Sequence, residues 1–496
     1  MLLKLKSLSL PRVVIAALSA LVVATVIASF AGGLDQTFFS PAAMAASLAA
    51  SLFPSLLSSW LLGLVFSSRP SLESAAISGL ILWFLFWPST AVVDLAWFAG
   101  IAVLAQVSKY LIAWRGRHIV NPVAAGVLLA VIIGRVFNIE AVPLPTWWVA
   151  SQALFWPVLL AGIVVWWRSG RFWMSWIFGI AAGTLIVKSM LDINASFGNP
   201  ITVFEAITFA LHSTPLLFFA AFMLTEPLTM PSRVGPQTVA VLAAIVATLG
   251  LTTTALDFEA PSLLIDSSYE WALVLTGLIA LLAGQNSARI TLRERIELAG
   301  DAVEYRWESK RPVRFEPGQY VEVDIAHPRP DARGRRRAFS PISIPGEELV
   351  FSTRHPESGS TYKQALLALE PGDTARVTSV HGSFVWPRKG PILLVGAGIG
   401  VTPFLSQLAA EPDRDVVVAI GVREEGQPYL EELRRLAPRL IEVPVEELTA
   451  EYLESQIDDL DERSAFISGR PEFVQDLRLQ LGRVVRKIHT DYFWGS

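Results

Sequence analysis

Ten stretches of about 20 apolar residues occupy most of the first 288 positions: 12–32, 44–66, 74–92, 93–114, 119–137, 148–167, 172–190, 203–224, 237–255 and 271–288. A helix of that length crosses a hydrocarbon core roughly 30 Å thick. This half therefore reads as a polytopic α-helical membrane domain. The third and fourth runs nearly fuse around Pro88, so the count is about ten. The run from Val13 to Phe30 is longer than a signal-peptide core and more runs follow it, so it reads as a retained first helix.

Charge sets the expected orientation. With the N-terminus inside, Lys4, Lys6, Arg12, Arg69, Lys109, Arg115, Arg117, Arg168, Arg171 and Arg233 fall on the cytoplasmic side. Only Arg135 and Lys188 fall outside. That asymmetry matches the positive-inside tendency. An even number of spans returns the chain to the cytoplasm. The expectation is a multi-pass protein of the cell (inner) membrane, embedded in lipid, with both termini cytoplasmic.

Composition changes at position 289. Residues 1–288 hold 12 Lys+Arg, 11 Asp+Glu and 13 of the 16 Trp, whereas residues 289–496 hold 28 Lys+Arg and 33 Asp+Glu. A charged globular half follows the apolar one. No basic block points to nucleic acid. With no cysteine, disulfides, a thiolate nucleophile and an all-cysteine iron–sulfur cluster are excluded. No metal site is expected.

Two stretches interrupt the apolar pattern: "RGRHIVNPVAAGVLLA" (115–130) and "FMLTEPLTMPSRVGP" (222–236). Both fall at cytoplasmic-side helix ends, after the fourth and eighth runs. Irregular polar backbone at membrane depth survives where it is buried in protein or lines a cavity. Paired broken segments mark a site between repeats, and the plainer reading is a pair of interfacial turns. Glu205 and His212, near the eighth run, are ionisable candidates beside them.

Residues 300–388 read as all-β, with runs such as "YVEVDI" and "ARVTSV" between turns. Residues 391–496 alternate strand and helix, the pattern of a parallel doubly wound sheet. In "GRRRAFSPISIP" (334–345), Arg337 can fork onto a diphosphate and Phe339 can stack on a flat ring. Ser340 points to the other face or sits at a bend. "GSTYKQAL" (359–366) opens a helix with Gly359, Ser360 and Thr361, a second place for an anion. In "LLVGAGIGVTP", Gly396, Gly398 and Gly400 let the backbone approach phosphate, and Pro403 suits a first helical turn. Each motif alone is equally a basic edge strand, a capped surface helix or a glycine turn.

In this order, and with a late "FISGRPEFV" (466–474), they resemble the ferredoxin–NADP⁺ reductase superfamily over residues 290–496. The resemblance implies an antiparallel β-barrel FAD domain (289–388) and an α/β parallel-sheet NAD(P) domain (389–496). It implies Arg337 and Thr361 on the FAD pyrophosphate, Phe339 stacked on the flavin, Ser340 at its N5 edge and Tyr320 nearby. Gly396, Gly398, Thr402 and Pro403 would cradle NADH or NADPH. Ser468, with Gly469 after it, replaces the family's usual cysteine beside the nicotinamide. Ser340 and Ser468 are thus the catalytic candidates. Arg423 would lie on the ribose side, and Phe493 or Trp494 near the flavin.

The membrane half, over roughly residues 10–285, resembles the RnfD/NqrB family, the ten-span membrane components of Rnf and of the Na⁺-translocating NADH:quinone reductase. Glu226 stands where those have aspartate. The likeness implies FMN or riboflavin near Asn121, Thr225 and Glu226. Those proteins attach FMN to a threonine after Ser-Gly-Ala. This chain has "IEAVPLPTWWVAS", where Thr146 is the one candidate and Ser-Gly-Ala is absent, which favours a loosely bound flavin. His118 and His212 are too few for two bis-histidine haems. The expected function is a membrane flavoprotein passing electrons from cytoplasmic NAD(P)H through FAD to a membrane flavin, then to quinone or an extracytoplasmic flavoprotein. The alternative is a transporter or channel with an attached reductase.

Overall fold

The computed structural model describes residues 9–66, 71–114, 117–169, 171–226, 229–231, 234–250, 267–283, 288–328, 330–331, 334–355, 359–423 and 426–491. Phe493 and Trp494 lie outside them. The chain divides into two compact units, Leu8–Gln285 and Asn286–Ser496.

The first unit is helical. It runs α1 (Leu10–Phe30), α2 (Pro41–Val65), α3 (Leu72–Leu85), α4 (Val92–Leu111), a hairpin of β1 (Ala113–Trp114) and β2 (Arg117–His118), α5 (Pro122–Val136), α6 (Phe155–Ser169), α7 (Phe172–Ser196), α8 (Val203–His212), α9 (Leu216–Met223), α10 (Val234–Gly250) and α11 (Ser268–Leu282). Among the described residues, α1, α2, α4 and α7 are long and apolar enough to cross a membrane. The pair α8 and α9, bent by 56°, makes a fifth if it is one span. α3, α5, α10 and α11 are apolar but shorter. Each of the ten apolar runs overlaps one of these helices or the bent pair, and among the described residues four or five reach spanning length.

Small and polar residues let these helices approach closely. Ser55 Oγ donates to Ala75 O at 2.7 Å and accepts from Gln106 Nε2 at 2.8 Å, tying α2 to α3 and α4. Gly126 is pressed on α4, where a methyl group would come within 2.7 Å of Ile101 O. α9 ends in a π turn over Phe219–Met223, a departure from α-helix that recurs at functional sites.

The second unit opens with six antiparallel strands in the order β6-β5-β8-β3-β4-β7. They are β3 (Ala288–Glu297), β4 (Ala302–Ser309), β5 (Tyr320–Asp324), β6 (Arg336–Phe339), β7 (Leu349–Arg354) and β8 (Thr374–His381), with α12 (Thr361–Leu367) before β8. Phe339 of β6 stacks on Phe351 of β7, centroids 4.3 Å apart. The two outer strands of the order therefore meet, and the sheet rolls into a barrel around Tyr305, Trp307, Val321 and Phe351.

Five parallel strands follow in the order β11-β10-β9-β12-β13. They are β9 (Ile392–Ala397), β10 (Val416–Val422), β11 (Arg439–Pro444), β12 (Ser464–Ser468) and β13 (Lys487–Asp491), connected by α13 (Thr402–Ala410), α14 (Leu430–Leu436), α15 (Ala450–Gln456) and α16 (Pro471–Leu481). β9 to β11 progress one way and β12 to β13 the other. The order reverses between β9 and β12, and open α/β sheets bind ligands at the carboxyl ends of such a pair.

Candidate functional site

At that reversal the register aligns three residues. Ser468 pairs with Gly396 of β9 on one side and with Asp491 of β13 on the other. Glycine is required by contact at two points. A methyl group on Gly396 would come 2.6 Å from the Phe404 ring, and one on Gly400 would come 2.7 Å from Gly469 Cα. Gly398 adopts φ +58°, the left-handed region where glycine is unstrained. Its N–H donates to Gln427 Oε1 at 3.0 Å, and its carbonyl accepts from Gln427 Nε2 at 2.9 Å. Thr402 and Pro403 open α13, with the proline in the first turn.

Ser340 follows the last residue of β6 and is buried. Neither Ser340 Oγ nor Asp491 Oδ2 has a well-formed hydrogen bond, although both are buried. The hydroxyl still lies close enough to the carboxyl to oppose its protonation slightly. Burial dominates and pushes the Asp491 carboxyl up to about 7.

The candidate anion-binding groups cluster at the start of β6 and of α12. Arg337 forks onto Asp331, with Nη2 3.0 and 3.2 Å from its two carboxylate oxygens. Nη1 donates to Gly334 O and Arg336 O at 2.9 and 2.7 Å. The guanidinium lies 5.0 Å from the centre of the Tyr362 ring. Thr361 Oγ1 accepts from Asp331 N at 3.1 Å and contacts His327 Nε2 at 3.4 Å. Ser360 caps α12, and Gly359 precedes it. Phe339 is buried against Phe351, while Tyr320 is half-buried at the start of β5, its ring 6.0 Å from that of His381. Arg423 follows β10 at its carboxyl end.

In the first unit the two interrupted stretches come together. Asn121 Oδ1 caps α5 through Val123 N and Ala124 N, while its Nδ2 donates to Glu226 Oε2 at 2.8 Å. Thr229 Oγ1 donates to the same oxygen, and His118 Nε2 stands 3.2 Å from Oε1. Arg171 Nη1 donates to Glu226 O at 3.0 Å. The Thr225 hydroxyl turns back to Ala221 O. Thr146 is elsewhere, on the exposed loop after α5, where its Oγ1 accepts from Trp87 Nε1 at 3.1 Å. Glu205 is an exposed capping-box residue of α8 with Thr202. His212 packs edge-on against Phe155.

Sequence reasoning missed Asp331, Gln427, Asp491 and Arg171. Only Asp491 left a signal, as an acidic residue in the terminal "IHTDYFW".

No protein-family model matches the sequence. The chain is similar to the ferredoxin–NAD(P)⁺ reductase component of a naphthalene 1,2-dioxygenase/salicylate 5-hydroxylase system of Ralstonia. The two are 28% identical over 225 residues, 40% of this chain and 67% of the relative. The second unit is a ferredoxin–NAD(P)⁺ reductase-like module. It is an oxidoreductase module of the type that uses FAD and NAD(P)H. The reductase component of the Pseudomonas putida naphthalene 1,2-dioxygenase system is 26% identical over 211 residues, 37% of this chain and 62% of that protein. The solved Amycolatopsis cytochrome P450 reductase GcoB aligns with 42% of this chain and 70% of its own, at 23% identity and a TM-score of 0.37. The chain thus spans about two thirds or less of the length of these curated relatives.

The reductase module suits a flavin on its own geometry. A buried serine hydroxyl lacks a partner, and a guanidinium and a threonine hydroxyl stand together beyond the same strand.

Proposed function

We propose that the whole chain is a membrane-bound oxidoreductase of about ten spans. It takes reducing equivalents from cytoplasmic NAD(P)H and delivers them to quinone or to an extracytoplasmic flavoprotein. The observation that carries the reading is the register row Gly396–Ser468–Asp491 with Ser340 beside it. It is where the end of the Arg337-x-Phe339-Ser340 strand reaches the reversal point of the parallel sheet.

Arg337, with Thr361, Ser360 and Gly359, would hold the FAD diphosphate. Phe339 and Tyr320 would flank the ring system, with Phe493 of the chain's last residues. When bound, FAD supplies the conversion of hydride donation into one-electron delivery. Gly396, Gly398, Gly400, Thr402 and Pro403 would cradle the dinucleotide's diphosphate. Ser468 and Gly469 would face the nicotinamide, and Arg423 would stand on the ribose side. Ser340 Oγ, next to a carboxyl that titrates near neutrality, is placed to hold or pass a proton.

In the membrane half, Asn121, Thr225 and Glu226 would hold a second flavin, FMN or riboflavin. The convergence of Asn121, His118 and Glu226 supports this, because an isoalloxazine edge needs donors and acceptors together. Thr146 would be the point of any covalent attachment.

The test is flavin extraction from detergent-purified protein, followed by NADH-driven reduction of a lipophilic quinone in proteoliposomes. FAD plus a second flavin per chain, with quinone reduction, is the expected result. One FAD with ferricyanide reduction but no quinone reduction would leave the reductase module standing and remove the membrane route.

A further inference from the structure

A cavity of about 810 Å³ opens at the carboxyl ends of β10 and β11. Val422, Arg423, Glu442, Pro444 and Glu446 line it. Its volume is that of a small-molecule site. Its place in the sheet is more telling. β10 is the direct neighbour of β9, which carries the glycine turn, and β11 is the next strand out. Adjacent strands lie roughly 4.8 Å apart, so the cavity begins about one or two strand spacings from Gly396 and Gly398. That is the reach from a dinucleotide's diphosphate to its adenosine ribose.

The charges around the cavity are unequal in availability. Arg434 forks onto Glu442 with two contacts of 2.8 Å and also binds Glu431. Arg423 is already engaged. Glu446 has no hydrogen bond or ion pair among the described residues. The lining charge still available to a ligand is therefore negative. A carboxylate accepts a hydrogen bond from a ribose 2′-hydroxyl. The same carboxylate repels a 2′-phosphate, which carries about −1.5 to −2 at neutral pH, and both arginines would have to leave existing partners to compensate.

We propose that this cavity takes the adenosine ribose of NADH, and that Glu446 selects NADH over NADPH. The inference rests on the reductase reading. It assigns the choice to the strand after the one that carries Arg423, where a carboxylate opposes the guanidinium.

The experiment uses the FAD-loaded full chain in detergent, with ferricyanide as acceptor and NADH or NADPH as donor. For the wild type, kcat/KM for NADH should exceed that for NADPH by at least tenfold. Glu446→Gln should narrow the ratio, and Glu446→Lys should narrow it tenfold or more, chiefly through a lower KM for NADPH. As a binding readout, 2′,5′-ADP should gain as a competitive inhibitor of E446K relative to 5′-ADP. A wild-type preference for NADPH, or ratios within twofold across all three proteins, overturns the inference and leaves the reductase reading intact. Flavin-loaded protein that neither dinucleotide reduces removes the reductase reading, and this inference with it. Should E446K lose its flavin, the milder E446Q decides by the same ratio.

Discussion

Arg337 is among the most heavily subscribed side chains described in the reductase module. Asp331 takes one terminal nitrogen with both carboxylate oxygens, and two carbonyls take the other nitrogen. A carboxylate and a diphosphate compete for the same guanidinium. Arg337→Ala should weaken FAD binding by roughly 10- to 100-fold, the equivalent of about 1.5–3 kcal/mol for hydrogen bonds to a charged group. Asp331→Asn should move it the other way. Titration of deflavinated protein with FAD, read by flavin fluorescence, checks both signs. Arg337 was legible from the sequence because Arg-x-Phe-Ser is a pattern. Asp331 was not, because it stands in "HPRPDARGRRR", where nothing distinguishes it from the loop's other charges. Asp491 was hidden differently, since only its pairing with β12 places it beside Ser468. Burial raises its carboxyl to about 7. Between about pH 4 and pH 7 the folded protein keeps a proton that the unfolded chain releases. The group's stabilising contribution is full below that window and is lost as pH rises through it, by up to about 4 kcal/mol. Asp491→Asn should flatten this slope, seen as the pH dependence of the temperature at which flavin is released.

Element by element, the strands written in alternation were readable and β3 was not. β5 and β8 show their period plainly. β3, "ARITLRERIE", buries Ile290 and Leu292, then slips register between Leu292 and Glu294. A bulge breaks the two-residue period, and the charges that follow hide the strand, which lies before the stretch 300–388 that read as β. α12 and α13 announced themselves by hydroxyl and proline starts. Glu205, an ionisable residue near an apolar run, is instead a solvated helix end that caps α8. One link between elements has no sequence signature. The Tyr429 hydroxyl, at the start of α14, donates to Glu304 Oε2 of β4 at 2.7 Å, across 125 positions of chain. Arg306 holds the other carboxylate oxygen at 2.7 Å. This buried bond joins the barrel to the parallel sheet. Tyr429→Phe leaves a buried acceptor short of a donor and should cost about 1–3 kcal/mol. Thermal unfolding of the flavin-loaded protein, compared with a Tyr452→Phe control, measures it. An unchanged midpoint would show that the bond does not tie the two sheets together.

At the scale of the whole molecule, each unit has its own core and its own polar cluster. The functional claim is that the two clusters serve one reaction. The sequence suggested a site from paired interruptions of the apolar pattern, and the structure places Asn121 against Glu226 across 105 positions. His118, inside the first stretch, reads from the sequence only as a candidate haem ligand, and Arg171 reads only as a cytoplasmic-side charge until the chain folds. The cluster can be separated from the reductase chemistry by choosing the acceptor. Ferricyanide takes electrons from the reductase module in water, whereas on the proposed route a lipophilic quinone in proteoliposomes takes them through the first unit. Glu226→Gln keeps the shape and one acceptor oxygen but removes the charge that Asn121, Thr229 and His118 surround. It should lower quinone reduction at least tenfold relative to ferricyanide reduction by the same preparation. Asn121→Ala should do the same and also lower the thermal midpoint of the first unit, because loss of an N-cap costs about 1 kcal/mol. If both variants keep the wild-type ratio of the two activities, Glu226 and Asn121 form a structural knot between helix ends. Electrons would then reach quinone by another path, or from the module directly.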